Sequence, residues 1–193
     1  MKKLPYFLPI VAVLFAVACI HTVSRYNVRA SDRLMIPYQT GDTVYCIDAK
    51  GNRVMLTVTD ETSWWDHYDE YIWEEYRTVH LKSEDSAYKL DIQVQGWNFG
   101  YNSSRPLYAT FYFNSDALCG SKILYTSGMR FIGKVYDSVL IGERTYHNVA
   151  FREQSNINGL IQFYYSKTYG VLQMLLDEKP VFTLDTVIFA GAR

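Results

Sequence analysis

The residues best placed to do chemistry are Asp66 and His67, with Asp69 two positions on. A carboxylate beside an imidazole can orient the ring and assist proton transfer. The same side chains would make part of a zinc site, which needs a further ligand and a closed geometry. The ordinary alternative is a solvated histidine among acids, since neighbours in sequence need not converge. No G-x-S-x-G, H-E-x-x-H or phosphate-binding glycine loop occurs in the chain. The sequence therefore assigns no catalytic residue, no metal ligand and no cofactor, and the chain reads as a non-enzyme.

Binding has more material. Trp64, Trp65, Tyr68, Tyr71 and Trp73 are interleaved with Asp66, Asp69, Glu70, Glu74 and Glu75. Flat rings beside carboxylates can stack sugars and accept hydroxyl protons, or seat a protein partner, because Trp and Tyr are enriched at binding hot spots. Trp64, Trp65, Tyr68 and Trp73 are the candidate ligand-binding residues. The competing expectation is that half of these rings cap a β-core while the acids face water. A second group, Gly96-Trp97-Asn98-Phe99-Gly100-Tyr101, has glycines for a tight turn. It reads as a recognition loop or as a long hairpin connection with its rings folded back. Asn102-Ser103-Ser104 matches an N-glycosylation sequon.

The N-terminus carries the most specific signal. Lys2 and Lys3 precede about fifteen mostly apolar residues ending in Ala16-Val17-Ala18-Cys19, the layout of a cleavable secretory signal. The run is short for a spanning helix, which needs ~20 residues. Ala16-Val17-Ala18 suits ordinary signal peptidase, and small residues followed by Cys resemble a lipobox, with Ala16 standing where Leu is usual. Cys19 is the expected lipid attachment site, and both peptidases would cut before it. Cys46 and Cys119 remain. An oxidising compartment permits one disulfide between them, and two half-buried thiols are the equal alternative.

Removing residues 1–18 takes away Lys2 and Lys3 and no acids, leaving 17 basic against 20 acidic residues. That balance offers no basic field for nucleic acid. The remainder fits one domain with a sizeable core. Seventeen Tyr and ten Phe against five Pro argue for a folded, β-leaning chain. Residues 20–32 lack periodicity and read as tether.

The elements that must position these residues are strands. Thr43–Ile47 and Val54–Val58 flank Asp48-Ala49-Lys50-Gly51-Asn52, the strongest hairpin signal in the chain. Arg77–Lys82, Tyr88–Val94 and Leu107–Phe113 alternate in the same manner. Ser138–Ile141 and Thr145–Phe151 flank a Gly142-Glu143-Arg144 turn, and Leu160–Tyr165, Gly170–Leu176 and Val181–Leu184 form a terminal meander. The expected fold is all-β, an antiparallel sheet forming a sandwich or half-barrel. Ser63–Tyr76 is ambiguous: Trp65, Tyr68, Ile72 and Tyr76 have helical spacing. At most one short helix is expected near 63–72, as a loop or helical turn, with a strand from about Ile72.

Met35-Ile36-Pro37-Tyr38, Val79-His80-Leu81-Lys82-Ser83, the block from Asp137 to Val149 and Tyr164-Tyr165-Ser166-Lys167-Thr168-Tyr169-Gly170-Val171-Leu172 follow in order after the Cys19 signal. Together they resemble the small envelope lipoproteins of Bacteroidetes-type bacteria. The resemblance covers most of the chain after Cys19. It implies an envelope lipoprotein with a β-rich domain and supplies no catalytic residues. The expected organisation is a signal peptide at 1–18, a lipid-anchored tether at 19–32 and one β-rich domain at 33–193. The expected role is non-enzymatic binding or scaffolding at the outer membrane, facing periplasm or cell surface, with a glycan- or peptide-binding module of an uptake system as the alternative. Asp85-Ser86-Ala87, Asp137-Ser138-Val139 and Asp185-Thr186-Val187 resemble the O-glycosylation signal of such bacteria, inaccessible wherever it falls within a strand.

Overall fold

The computed structural model describes residues 23–69, 72–96, 104–114, 116–126, 129–156 and 159–191. Residues 1–22, with the expected signal peptide and Cys19, and Glu70, Tyr71, Trp97–Tyr101 and Asn102-Ser103 lie outside them. Strands are β1 Ser24–Tyr26, β2 Thr43–Asp48, β3 Arg53–Asp69, β4 Ile72–Lys82, β5 Tyr88–Gln95, β6 Ser104–Phe113 and β7 Asp116–Thr126. They continue as β8 Phe131–Ile132, β9 Lys134–Ile141, β10 Arg144–Asn156, β11 Gly159–Ser166, β12 Gly170–Leu176 and β13 Lys179–Ile188; a four-residue helix, α1, spans Ala30–Arg33.

All strands join one sheet, and the all-β antiparallel expectation holds. Each strand pairs with its neighbour in sequence from β2 to β8 and from β9 to β13, and β13 closes onto β2. The two edges, β8 and β9, are consecutive in the chain, separated by Gly133 at φ 112°. The sheet is open but strongly curled, because β7 packs across onto β10, β11 and β12. Phe111 on β6 meets Phe182 on β13 edge-on at 5.2 Å, and Phe131 meets Tyr165 at 5.9 Å. Alternation makes this possible: along β2, Val44, Cys46 and Asp48 point inward while Thr43, Tyr45 and Ile47 are only half-buried. Asp48 then uses its inward position to staple the predicted turn, accepting from the Lys50 and Asn52 amides at 2.9 and 2.7 Å, with Gly51 at φ 83°.

The domain begins earlier than expected. Residues 24–26, read from sequence as tether, pair in parallel with the start of β4, Ser24 opposite Ile72 and Tyr26 opposite Glu74. Val28, Met35, Ile36 and Tyr38 are buried in the core. The Tyr165 hydroxyl donates to the Met35 carbonyl and that of Tyr38 to the Tyr169 carbonyl, so this segment bridges the two halves of the sheet. Arg33 fastens it, with Nε 2.7 Å from Glu61 and the two Nη atoms donating to the carbonyls of Ile36 and Tyr38. Composition hides this, because so short a segment has no period and is ordered by its tertiary partners.

The second correction concerns 63–72. The described part of this segment is strand rather than helix or loop, and the short helix lies at Ala30–Arg33 instead. Cross-strand pairing overrides the i, i+4 spacing. Trp64 faces Tyr76 and His67 faces Trp73 across the β3–β4 ladder, and such ring pairs stabilise sheets. β7 was not legible either, since Gly120 and Lys122 break its apolar run.

Candidate functional site

The β3–β4 hairpin forms an arm. β2 leaves β3 at Thr57, and β5 leaves β4 at the Tyr76–Gln95 pair. Beyond Tyr76 four more residues of β4, roughly 13 Å of strand, continue with β3 on one side and β1 on the other. Gly96 makes room for this arrangement. Its amide donates to the Glu75 carbonyl at 2.6 Å, and a Cβ there would strike the Tyr26 carbonyl.

The arm carries the tryptophans. Trp64, Trp65 and Trp73 are 43, 41 and 37 % exposed, so these rings do not cap the core. Residues directly opposite in a ladder share a face and neighbours alternate. Trp64 therefore stacks on Tyr76, at 5.5 Å with planes 11° apart, on one face. Trp65, His67 and Trp73 occupy the other, where the His67 and Trp73 rings lie 5.5 Å apart. Arg25 of β1 is in register with Trp73 on that second face, and Arg25, Trp65 and Trp73 line a cavity of about 280 Å³. Tyr68 lies on β3, but its side chain falls outside the described residues.

The acids of this segment divide into two groups. Glu75 is buried: it accepts from the Val28 amide at 2.9 Å and from Arg77 Nε at 2.8 Å. Glu74 is buried too, accepting from the Gln95 amide, which also donates to the Tyr76 hydroxyl at 2.9 Å. Burial, with Glu74 and Asp66 nearby, pushes the Tyr76 hydroxyl up to about 12. These two glutamates are struts rather than ligand-facing acceptors. Asp66 remains in solvent, its carboxylate taking the His67 amide at 2.8 Å and lying 3.6 Å from the His67 ring, with both side chains 63 % exposed. That is a surface pair without an enclosing site. Among the described residues no three His, Cys, Asp or Glu side chains gather as metal ligands.

Cys46 and Cys119 are buried on β2 and β7 as separate thiols. Burial raises both, Cys46 to about 12, with Asp48 and Asp185 adding to the effect, and Cys119 to about 11. The Asp85-Ser86-Ala87 motif lies on an exposed turn, whereas the other two such motifs fall within β9 and β13.

Sequence reasoning missed one constellation. On three adjacent strands the Thr62 hydroxyl lies 2.8 Å from His80 Nε2, and His80 Nδ1 lies 2.6 Å from Asp91. The neutral tautomer that donates Nδ1–H to Asp91 leaves Nε2 to accept from Thr62. The order is that of a nucleophile, a base and an orienting carboxylate. But Lys89 Nζ also pairs with Asp91 at 2.6 Å, and the three groups stand on a pleated sheet surface, away from the cavity beside Trp65. They act as a cross-strand ladder fastening β3, β4 and β5 at the base of the arm. No spacing in the sequence could signal it, because the three residues meet only through register. Comparison of the chain with family models, with curated proteins and with solved structures finds no match.

Proposed function

We propose that the protein is an exported envelope lipoprotein, held at a bacterial membrane through Cys19 and acting by binding or scaffolding rather than by catalysis. The observation that supports this most is the arm, which holds three tryptophans in solvent on a ribbon fixed by buried glutamates. Large exposed apolar rings grouped on one element mark interaction surfaces. The test of the anchor is the mass of the mature N-terminus. Cys19 carrying acyl chains is the expected result, and an unmodified Cys19 would remove the tether from this reading.

A second reading, capture of glycans or peptides for an uptake system, is favoured by the cavity among Arg25, Trp65 and Trp73. A Trp65→Ala, Trp73→Ala variant should then lose affinity across a glycan and peptide panel, and unchanged binding would discard it.

A further inference from the structure

We infer that the arm is a membrane-interface probe: its tryptophans sit in the headgroup layer of the same membrane that Cys19 would be anchored to. This rests on the lipoprotein reading for the anchor, and on three independent features of the fold for the contact.

The first feature is where the chain begins its ordered path. β1 runs parallel to β4, and Ser24 pairs with Ile72, the first described residue of β4. The chain therefore meets the domain at the far end of the arm and runs back along it toward the sheet. Four peptide steps join Cys19 to Val23, a reach of at most about 14 Å. A lipid on Cys19 thus keeps the end of the arm, and not the opposite side of the domain, against the membrane.

The second feature is that the rings stand on both faces of the ribbon, Trp64 on one and Trp65 with Trp73 on the other. A sugar stacked on Trp65 and Trp73 would use one face only and leave Trp64 in water. A ribbon entering an interface end-on wets both faces at once, and the amphipathic indole favours that layer.

The third feature is charge. Arg25, beside Trp65 and Trp73, supplies a donor to a lipid phosphate. Asp66 is exposed on the opposite face, with Trp64, and Asp69 and Glu70 follow in sequence. The local balance is acidic, which selects a zwitterionic phospholipid surface over an anionic one.

The test uses the full exported chain in a Trp97→Phe background, so that all remaining tryptophans belong to the arm. Vesicles of phosphatidylethanolamine and phosphatidylcholine carry brominated acyl chains as the quencher. The lipidated protein should show a blue-shifted emission and strong quenching. Its unlipidated Cys19→Ser form should still sediment with the vesicles, and at least about tenfold more weakly after Trp64, Trp65 and Trp73 are changed to Ser, since burial of about 60 Å² of ring surface already corresponds to a tenfold change. Adding phosphatidylglycerol should weaken binding. Lipidated protein that stays on the vesicles without quenching would overturn the inference while leaving the anchor intact. An unmodified Cys19 in cells would remove the anchor, and sedimentation of the Cys19→Ser form would still decide the contact. Quenching abolished by a soluble glycan at the arm would also overturn it, in favour of sugar binding.

Discussion

At the scale of single residues, the clearest dependence on pH belongs to Asp48. Its carboxylate is buried, which by itself would raise its pKa, but bonds from the Tyr88 hydroxyl at 2.6 Å and from Asn52 outweigh this and hold it below the usual range. In return Asp48, and burial second, push the Tyr88 hydroxyl to about 12. A carboxyl group depressed in the folded state stabilises the protein above its unfolded value, near ~3.9, and that contribution is lost as pH falls through the lower folded value. Tyr88→Phe should therefore cost about 1 kcal/mol at pH 7 and less below pH ~4, as measured by denaturant unfolding at both. A cost independent of pH would show that the bond does not depend on the ionised carboxylate. The two buried thiols give a second outcome. Cys46 and Cys119 should resist iodoacetamide at pH 8 while the protein is folded, and both should alkylate after unfolding without reductant. Failure to alkylate after unfolding would reveal a bridge instead of separate thiols.

At the scale of elements, the arm depends on β1 staying in place, and β1 depends on Gly96. Gly96→Ala places a Cβ against the Tyr26 carbonyl and should detach β1 from β4 while leaving the body of the sheet intact. Hydrogen exchange should show lost protection at Arg25 and Tyr26 with β11 to β13 unchanged, and unchanged protection at β1 would contradict the geometry. Strands with regular alternation and glycine-marked turns were legible in the sequence: the β2–β3 and β9–β10 hairpins and the terminal meander fall where expected. The segments that misled did so for a shared reason. Residues 24–38 are ordered by partners distant in sequence, Glu75 and Tyr165, and residues 63–69 by cross-strand register with the β4 rings, and neither by a local period. The tryptophans were identified by composition, but Arg25 was not, since nothing in residues 20–32 marks it as the neighbour of Trp73.

At the scale of the whole molecule, one long hairpin extends from the curled sheet, with the N-terminal segment paired along that hairpin. The body buries Phe111, Phe163 and Phe182 completely, while among the described residues the exposed tryptophans Trp64, Trp65 and Trp73 stand on the arm. These rings lie on the hairpin along which β1 runs, and β1 begins opposite Ile72. The most direct test is photo-crosslinking in the native cell from a photoreactive residue at position 65 or 73, compared with position 135, which is equally exposed on the edge strand β9. The account predicts adducts with a phospholipid or envelope component from 65 and 73 and few from 135. Adducts from 135 with none from the arm would contradict it.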